Sequence, residues 1–215
     1  LARMALEELC RSYWFPIYGF ARGLGLNPVD AEDATQELFQ RIVDQKIMSR
    51  VAPDGGRLRS YLIASLKNGV AQRHRRSLRQ KRGGGAVVLS IDAEEAEGRY
   101  LGDVQDGESP EKAFERRWVV ALLDAALDRL REEYAKRDDV EGFDGLSGLL
   151  VDNERGKGFR EVAERMGKSE GAVRVAVFRL RKRYRQLVRE EIAETVADPA
   201  RVDEEIEALF AAVAR

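Results

Sequence analysis

Gly158 to Arg185, GFREVAERMGKSEGAVRVAVFRLRKRYR, is the stretch on which the architecture turns. Phe159, Val162, Ala163 and Met166 recur every three or four residues and make one short apolar helical face. Gly167 supplies a turn, and Ser169 stands where a helix N-cap belongs. Val173, Val177 and Leu180 give a second helix the face that packs on the first, and six cations lie between Ser169 and Arg185. A short helix, a glycine turn and a longer basic helix form the pattern of a helix-turn-helix, whose second helix enters the DNA major groove. On that reading Arg174 and Arg179 reach bases or nearby phosphates, and Arg181, Lys182, Arg183 and Arg185 mainly meet phosphate. Each phosphate contact adds about 0.9 to the log-log salt slope of binding. The plain alternative is a solvated basic helix packed on its neighbour.

The rest of the chain must be squared with that basic helix, because the 215 residues carry a formal net charge of only −1. The charge is segregated. Residues 57–82 hold nine cations and no acid; residues 92–115 hold nine acids against Arg99 and Lys112. Two basic blocks separated by an acidic one suggest two grips on a polyanion and a connector that avoids it. One cysteine, Cys10, excludes an internal disulfide, and with His74 as the sole histidine no metal site and no cofactor are expected. No apolar run is long enough for a membrane span. Residues 1–20 lack a basic segment followed by an apolar block, so a cytoplasmic location is expected, although the chain opens at Leu1 rather than methionine.

Periodicity is helical almost throughout, AVVLSI (86–91) being the one short strand-like run. Leu6, Leu9, Tyr13, Ile17, Phe20 and Leu24 mark a first helix in which Pro16 predicts a kink or restart. Asn27-Pro28-Val29-Asp30 reads as an N-cap, a proline in the first turn and an early acid. Ala34, Leu38 and Ile42 form the apolar row of that second helix, and Pro53-Asp54-Gly55-Gly56 closes the unit. Leu58, Leu62, Leu66 and Val70 mark a third helix with a basic end. The expected organisation is all-α: a helical domain over 1–82, an acidic flexible linker over 83–110 opened by Gly83-Gly84-Gly85, and a second helical domain over 111–190. A helical tail over 191–215 follows, capped by Asp198-Pro199 and bearing Val202, Ile206, Leu209, Phe210 and Val213. Phe114, Trp118, Ala121, Leu122, Ala125 and Leu130 are the expected buried face of the helix that begins at Pro110.

Asp30 to Phe39 (DAEDATQELF), Arg59 to Asn68 (RSYLIASLKN) and Gly158 to Arg185 together resemble regions 2.2, 2.3–2.4 and 4.2 of a sigma factor of RNA polymerase, of the extracytoplasmic-function (ECF) type. The resemblance covers roughly residues 5 to 190, and it implies a promoter-specificity factor with no active site of its own. Its partners would be core RNA polymerase, through the clamp coiled coil and the flap, and promoter DNA. Asp33, Gln36, Glu37 and Arg41 would bind polymerase. Arg59, Lys67, Asn68, Gln72, Arg73, Arg75 and Arg76 would hold the −10 element, with an unstacked base received by the 47–57 loop. Ser169, Glu170, Arg174, Val175, Ala176, Arg179, Arg181, Lys182 and Arg183 would read the −35 element. The surplus acid of the second helix suits a basic protein partner, since carboxylates repel phosphate. The helix dipole accounts for Asp30 and Glu32 but not Glu37.

This chain departs from the family at Gln72, often aspartate, and at His74, often apolar. It also has Val175 and Ala176 where serine and arginine are common. Small apolar side chains there can touch thymine methyls but donate no hydrogen bond. Thr35 reads as either helix surface or a phosphorylation switch. The tail's apolar row calls for burial against the second domain or on a regulator such as an anti-sigma factor. Two other classes remain open: a stand-alone dimeric helix-turn-helix regulator, and a recombinase using Ser60 or Tyr61 beside Arg59.

Overall fold

A computed structural model describes residues 2–44, 57–77, 91–150 and 157–213. Among them every regular element is helical, with one isolated antiparallel pairing of Arg57 and Val196. The all-α expectation therefore holds for these residues. No helix among them is long and apolar enough to cross a membrane. The AVVLSI run lies outside the described residues except for Ile91, which begins a helix.

The chain divides into two compact units: residues 1–121 with 192–215, and residues 122–191. The first unit opens with α1 (Ala2–Gly23), which passes through Pro16 without a break. Tyr13, Ile17, Phe20 and Ala21 are buried along it. Gly25, at φ +89°, ends the helix. Its N–H reaches the Arg22 carbonyl at 2.9 Å and that of Leu26 the Ala21 carbonyl at 3.3 Å, so a left-handed residue satisfies two orphan acceptors. The Asn27 side chain then accepts from the Asp30 N–H at 2.9 Å, the cap read from the sequence, and starts α2 (Pro28–Asp44). Ala31, Ala34, Thr35, Leu38, Phe39 and Ile42 are buried. Helix α3 (Leu58–Ser77) buries Leu58, Leu62 and Leu66, one residue per turn.

Residues 91–103 correct the expectation of a flexible linker: they form helix α4 (Ile91–Asp103). Ala96 is buried, Tyr18 donates to Glu97 at 2.7 Å, and Arg22 grips Glu97 with two hydrogen bonds of 2.8 Å. Those bonds hold the Glu97 carboxyl below its usual range against the opposing effect of burial. Asp103 meets Arg116 and, at 2.6 Å, Arg117. Glu97 and Asp103 are thus compensated by arginines elsewhere in the chain, while Glu94 and Glu95 face solvent.

The first domain also extends further than expected. Helix α5 (Pro110–Ala135) contributes Phe114 and Trp118 to the first unit's core. Trp118 stacks on Tyr13 with centroids 4.0 Å apart, and Phe114 lies 5.4 Å from Phe20. Pro110 marks where a helix begins but does not say which core its aromatic residues enter. The C-terminal residues belong here too. Asp198 caps a 3₁₀ turn (Pro199–Arg201) through the Ala200 N–H at 2.9 Å, and helix α9 (Val202–Val213) follows. Its buried row is Val202, Glu205 and Leu209, while Phe210 is exposed. Of the apolar row expected in this tail, Val202 and Leu209 are buried and Ile206 is half-buried.

The second unit holds the remainder of α5 with Leu122, Ala126 and Leu130 buried. Helix α6 (Val140–Ser147), helix α7 (Lys157–Met166) and most of helix α8 (Glu170–Glu194) complete it. Phe143, Leu146, Val162, Ala163, Val173, Val177 and Leu180 are buried, as their spacing requires. Gly167, at φ +63°, sits between α7 and α8. The Lys168 N–H bonds the Ala163 carbonyl at 2.9 Å across it. A Cβ at Gly167 would meet nothing within 4 Å, so alanine there is strained by its backbone alone. Gly167→Ala is expected to cost about 1–2 kcal/mol, read as a lower urea midpoint. An unchanged midpoint would show that the turn relaxes.

Candidate protein and nucleic-acid interfaces

Three faces carry the candidate residues. On α2, Asp33, Gln36, Glu37 and Arg41 are exposed while the opposite face is buried, so one solvent-facing strip presents all four. Gln36 donates to the buried Glu32 at 3.1 Å, which fixes its amide. Arg41 folds back to donate to the Glu37 carbonyl at 3.2 Å and lies near Gly69 of α3. Thr35 is not at the surface. It is fully buried and donates to the Ala31 carbonyl at 2.7 Å, so a kinase has no access to it in this fold.

Helix α3 divides the expected −10 residues into distinct groups. Asn68 and Gln72 are exposed four residues apart, on neighbouring turns of one side. Lys67 is exposed and paired with Glu111 at 2.7 Å, a contact that lowers the Glu111 pKa. Arg73 pairs with Glu37 at 2.8 Å and stands 3.8 Å from Asp33, joining the basic helix to the acidic strip of α2. These pairs are largely solvated, so each holds its geometry by about 1 kcal/mol at most.

Arg59 is a correction. It is only 6% exposed, with Glu205 at 2.6 Å and Glu115 at 2.7 Å. A guanidinium held between two carboxylates inside the fold has no face to offer DNA, so its role is structural. The side chains of Arg75 and Arg76, and the 47–56 part of the expected base-receiving loop, lie outside the described residues.

On α8 the local design follows the pattern read from the sequence. Ser169 Oγ accepts from the Ala172 N–H at 3.2 Å, and Val173, Val177 and Leu180 face inward. Arg174 is paired with Glu170 at 2.6 Å and its guanidinium lies 4.6 Å from the Phe159 ring centroid, so α7 and Glu170 together orient it. Val175, Arg179 and Lys182 are exposed, Ala176 is half-buried, and Arg179 and Lys182 make no ion pair among the described residues.

Two of the expected phosphate contacts have partners within the chain. Arg181 donates twice to the Leu149 carbonyl, at 3.1 and 2.6 Å, satisfying an acceptor in the turn that follows α6. Arg183 lies between Glu133 and Glu190, whose carboxylates raise its pKa further. The cations turned outward are therefore Arg174, Arg179, Lys182 and Arg185. Phe178 escaped the reading of the sequence, although it falls off the Val173–Val177–Leu180 row and is 65% exposed.

Among the described residues no group of histidine, cysteine, aspartate or glutamate could hold a metal ion. Comparison of the chain with protein-family models, with curated proteins and with solved structures finds no match.

Proposed function

We propose that this protein is a promoter-specificity factor of the ECF sigma type, which binds core RNA polymerase, recognises promoter DNA and helps to melt it. The observation that carries the reading is the exposed α2 strip of Asp33, Gln36, Glu37 and Arg41. It is a polar, net-acidic surface that suits a basic protein partner and repels nucleic acid. Two basic faces complement it. Asn68, Gln72, Lys67 and Arg73 on α3 form the candidate −10 surface. The outward cations of α8 form the candidate −35 surface, with Arg181 and Arg183 partnered within the chain. Arg73 is shared, since it pairs with Asp33 and Glu37 in the free chain.

The test is a pull-down of bacterial core RNA polymerase by the wild-type chain and by Glu37→Lys. Capture by the wild type should fall at least tenfold in the variant. Arg73→Ala, which removes the same ion pair without altering the acidic strip, should retain capture. No capture by folded wild-type protein would favour a stand-alone helix-turn-helix regulator. Equal loss in both variants would mean that the Arg73 pairing, rather than the acid, matters.

A further inference from the structure

Val175 and Phe178 lie three residues apart in the second and third turns of α8, on one side of the helix. They are 52% and 65% exposed, two of the few large apolar side chains left in water among the described residues. Their setting is cationic, with Arg174 before them and Arg179 and Lys182 after them. Leaving a phenylalanine in solvent forgoes the gain from burying it, and the surrounding charge argues against an apolar protein groove as its cover. A duplex major groove matches both parts of the pattern. Its walls are phosphates, and the one apolar group on its floor is the thymine 5-methyl.

We infer that Val175 and Phe178 are specificity determinants that read the 5-methyl groups of adjacent thymines. This rests on the reading of α8 as a DNA-contacting helix. Residues three apart on a helix rise by about 4.5 Å, close to the roughly 3.4 Å between stacked base pairs, so each side chain can face its own pair. The hydrogen-bonding side chains nearby are less free to discriminate. Arg174 is paired with Glu170, Arg183 with Glu133, and Arg181 bonds the Leu149 carbonyl. The two ion pairs are solvated and bias these side chains without blocking them. Apolar contact with thymine adds a selective element to the outward Arg179, Lys182 and Arg185.

The experiment selects duplexes from a random pool with the 215-residue chain, alone and bound to core RNA polymerase. The affinity of the selected duplex is then measured with thymine replaced by deoxyuridine at each enriched position. Each lost methyl should weaken wild-type binding about fourfold, the value of one buried carbon group. Phe178→Ala should abolish one of these differences and Val175→Ala the other. The slope of affinity against salt should stay unchanged in both, because no cation is removed. Both sites are exposed, and unaltered circular dichroism will confirm folding. A selected sequence that tolerates deoxyuridine everywhere would overturn the inference while leaving α8 as a DNA reader. No enrichment, with no loss of duplex binding in Arg179→Ala and Lys182→Ala, would overturn both. Phe178→Ala that loses polymerase but keeps the selected sequence would assign the surface to a protein and overturn the inference.

Discussion

Glu205→Ala should lower the unfolding free energy of the first unit by about 3 kcal/mol, the cost of breaking a buried ion pair by removing one partner. Glu205 is 1% exposed and meets Arg59 at 2.6 Å and Arg57 at 2.6 Å. Arg59 would be left in the interior with Glu115 alone, while the more exposed Arg57 would regain water. The expected fall in the thermal midpoint is roughly 6–12 °C. The paired replacement Arg59→Met with Glu205→Leu should lose much less, since no charge is stranded. Equal losses would show that packing of α9, and not charge, supplies the effect. Scanning calorimetry of the three proteins decides between these outcomes.

Trp118→Ala is expected to be at least as damaging, costing about 3–5 kcal/mol. Trp118 is fully buried and stacked on Tyr13 at 4.0 Å, with Phe114 at 5.6 Å. Alanine would open a cavity between the Tyr13 ring of α1 and the Phe114 ring of α5. Trp118→Phe should cost well under half as much. It keeps most of the ring and removes an indole N–H that is buried with no acceptor among the described residues. Denaturant midpoints for both variants test the comparison. Near-equal losses would mean that the indole N–H is satisfied after all.

Much of this fold can be read locally. The rows Leu58–Leu62–Leu66 and Val173–Val177–Leu180, the Asn27 and Ser169 caps and the Gly167 turn each follow from residues within a few positions of one another. The exposed strip on α2 is legible for the same reason, being the complement of its apolar row. What local pattern misses is pairing at a distance. Arg59 reads as one more member of a basic block, yet its partner Glu205 lies 146 residues away. Arg181 and Arg183 read as DNA contacts because neither the Leu149 carbonyl nor Glu133 can be matched to them by spacing. Helix α4 reads as a connector because Arg22, Arg116 and Arg117, which pair with its Glu97 and Asp103, stand outside it. Phe178 is the converse case: its position off the apolar row was visible, and the structure gives that position its meaning.

The separation between Arg59 and Glu205 also sets an order of events on the ribosome. The Leu58 N–H bonds the Thr195 carbonyl at 3.0 Å, so backbone and side chains at the start of α3 both wait for the same late segment. At about 5–20 residues per second, the 146 residues between the two partners take roughly 7–30 s to synthesise. Residues 122–191 are contiguous and can complete their own core within that interval. The unit that starts first finishes last, and a nascent chain released before residue 205 carries an arginine prepared for burial with its main counter-charge unmade.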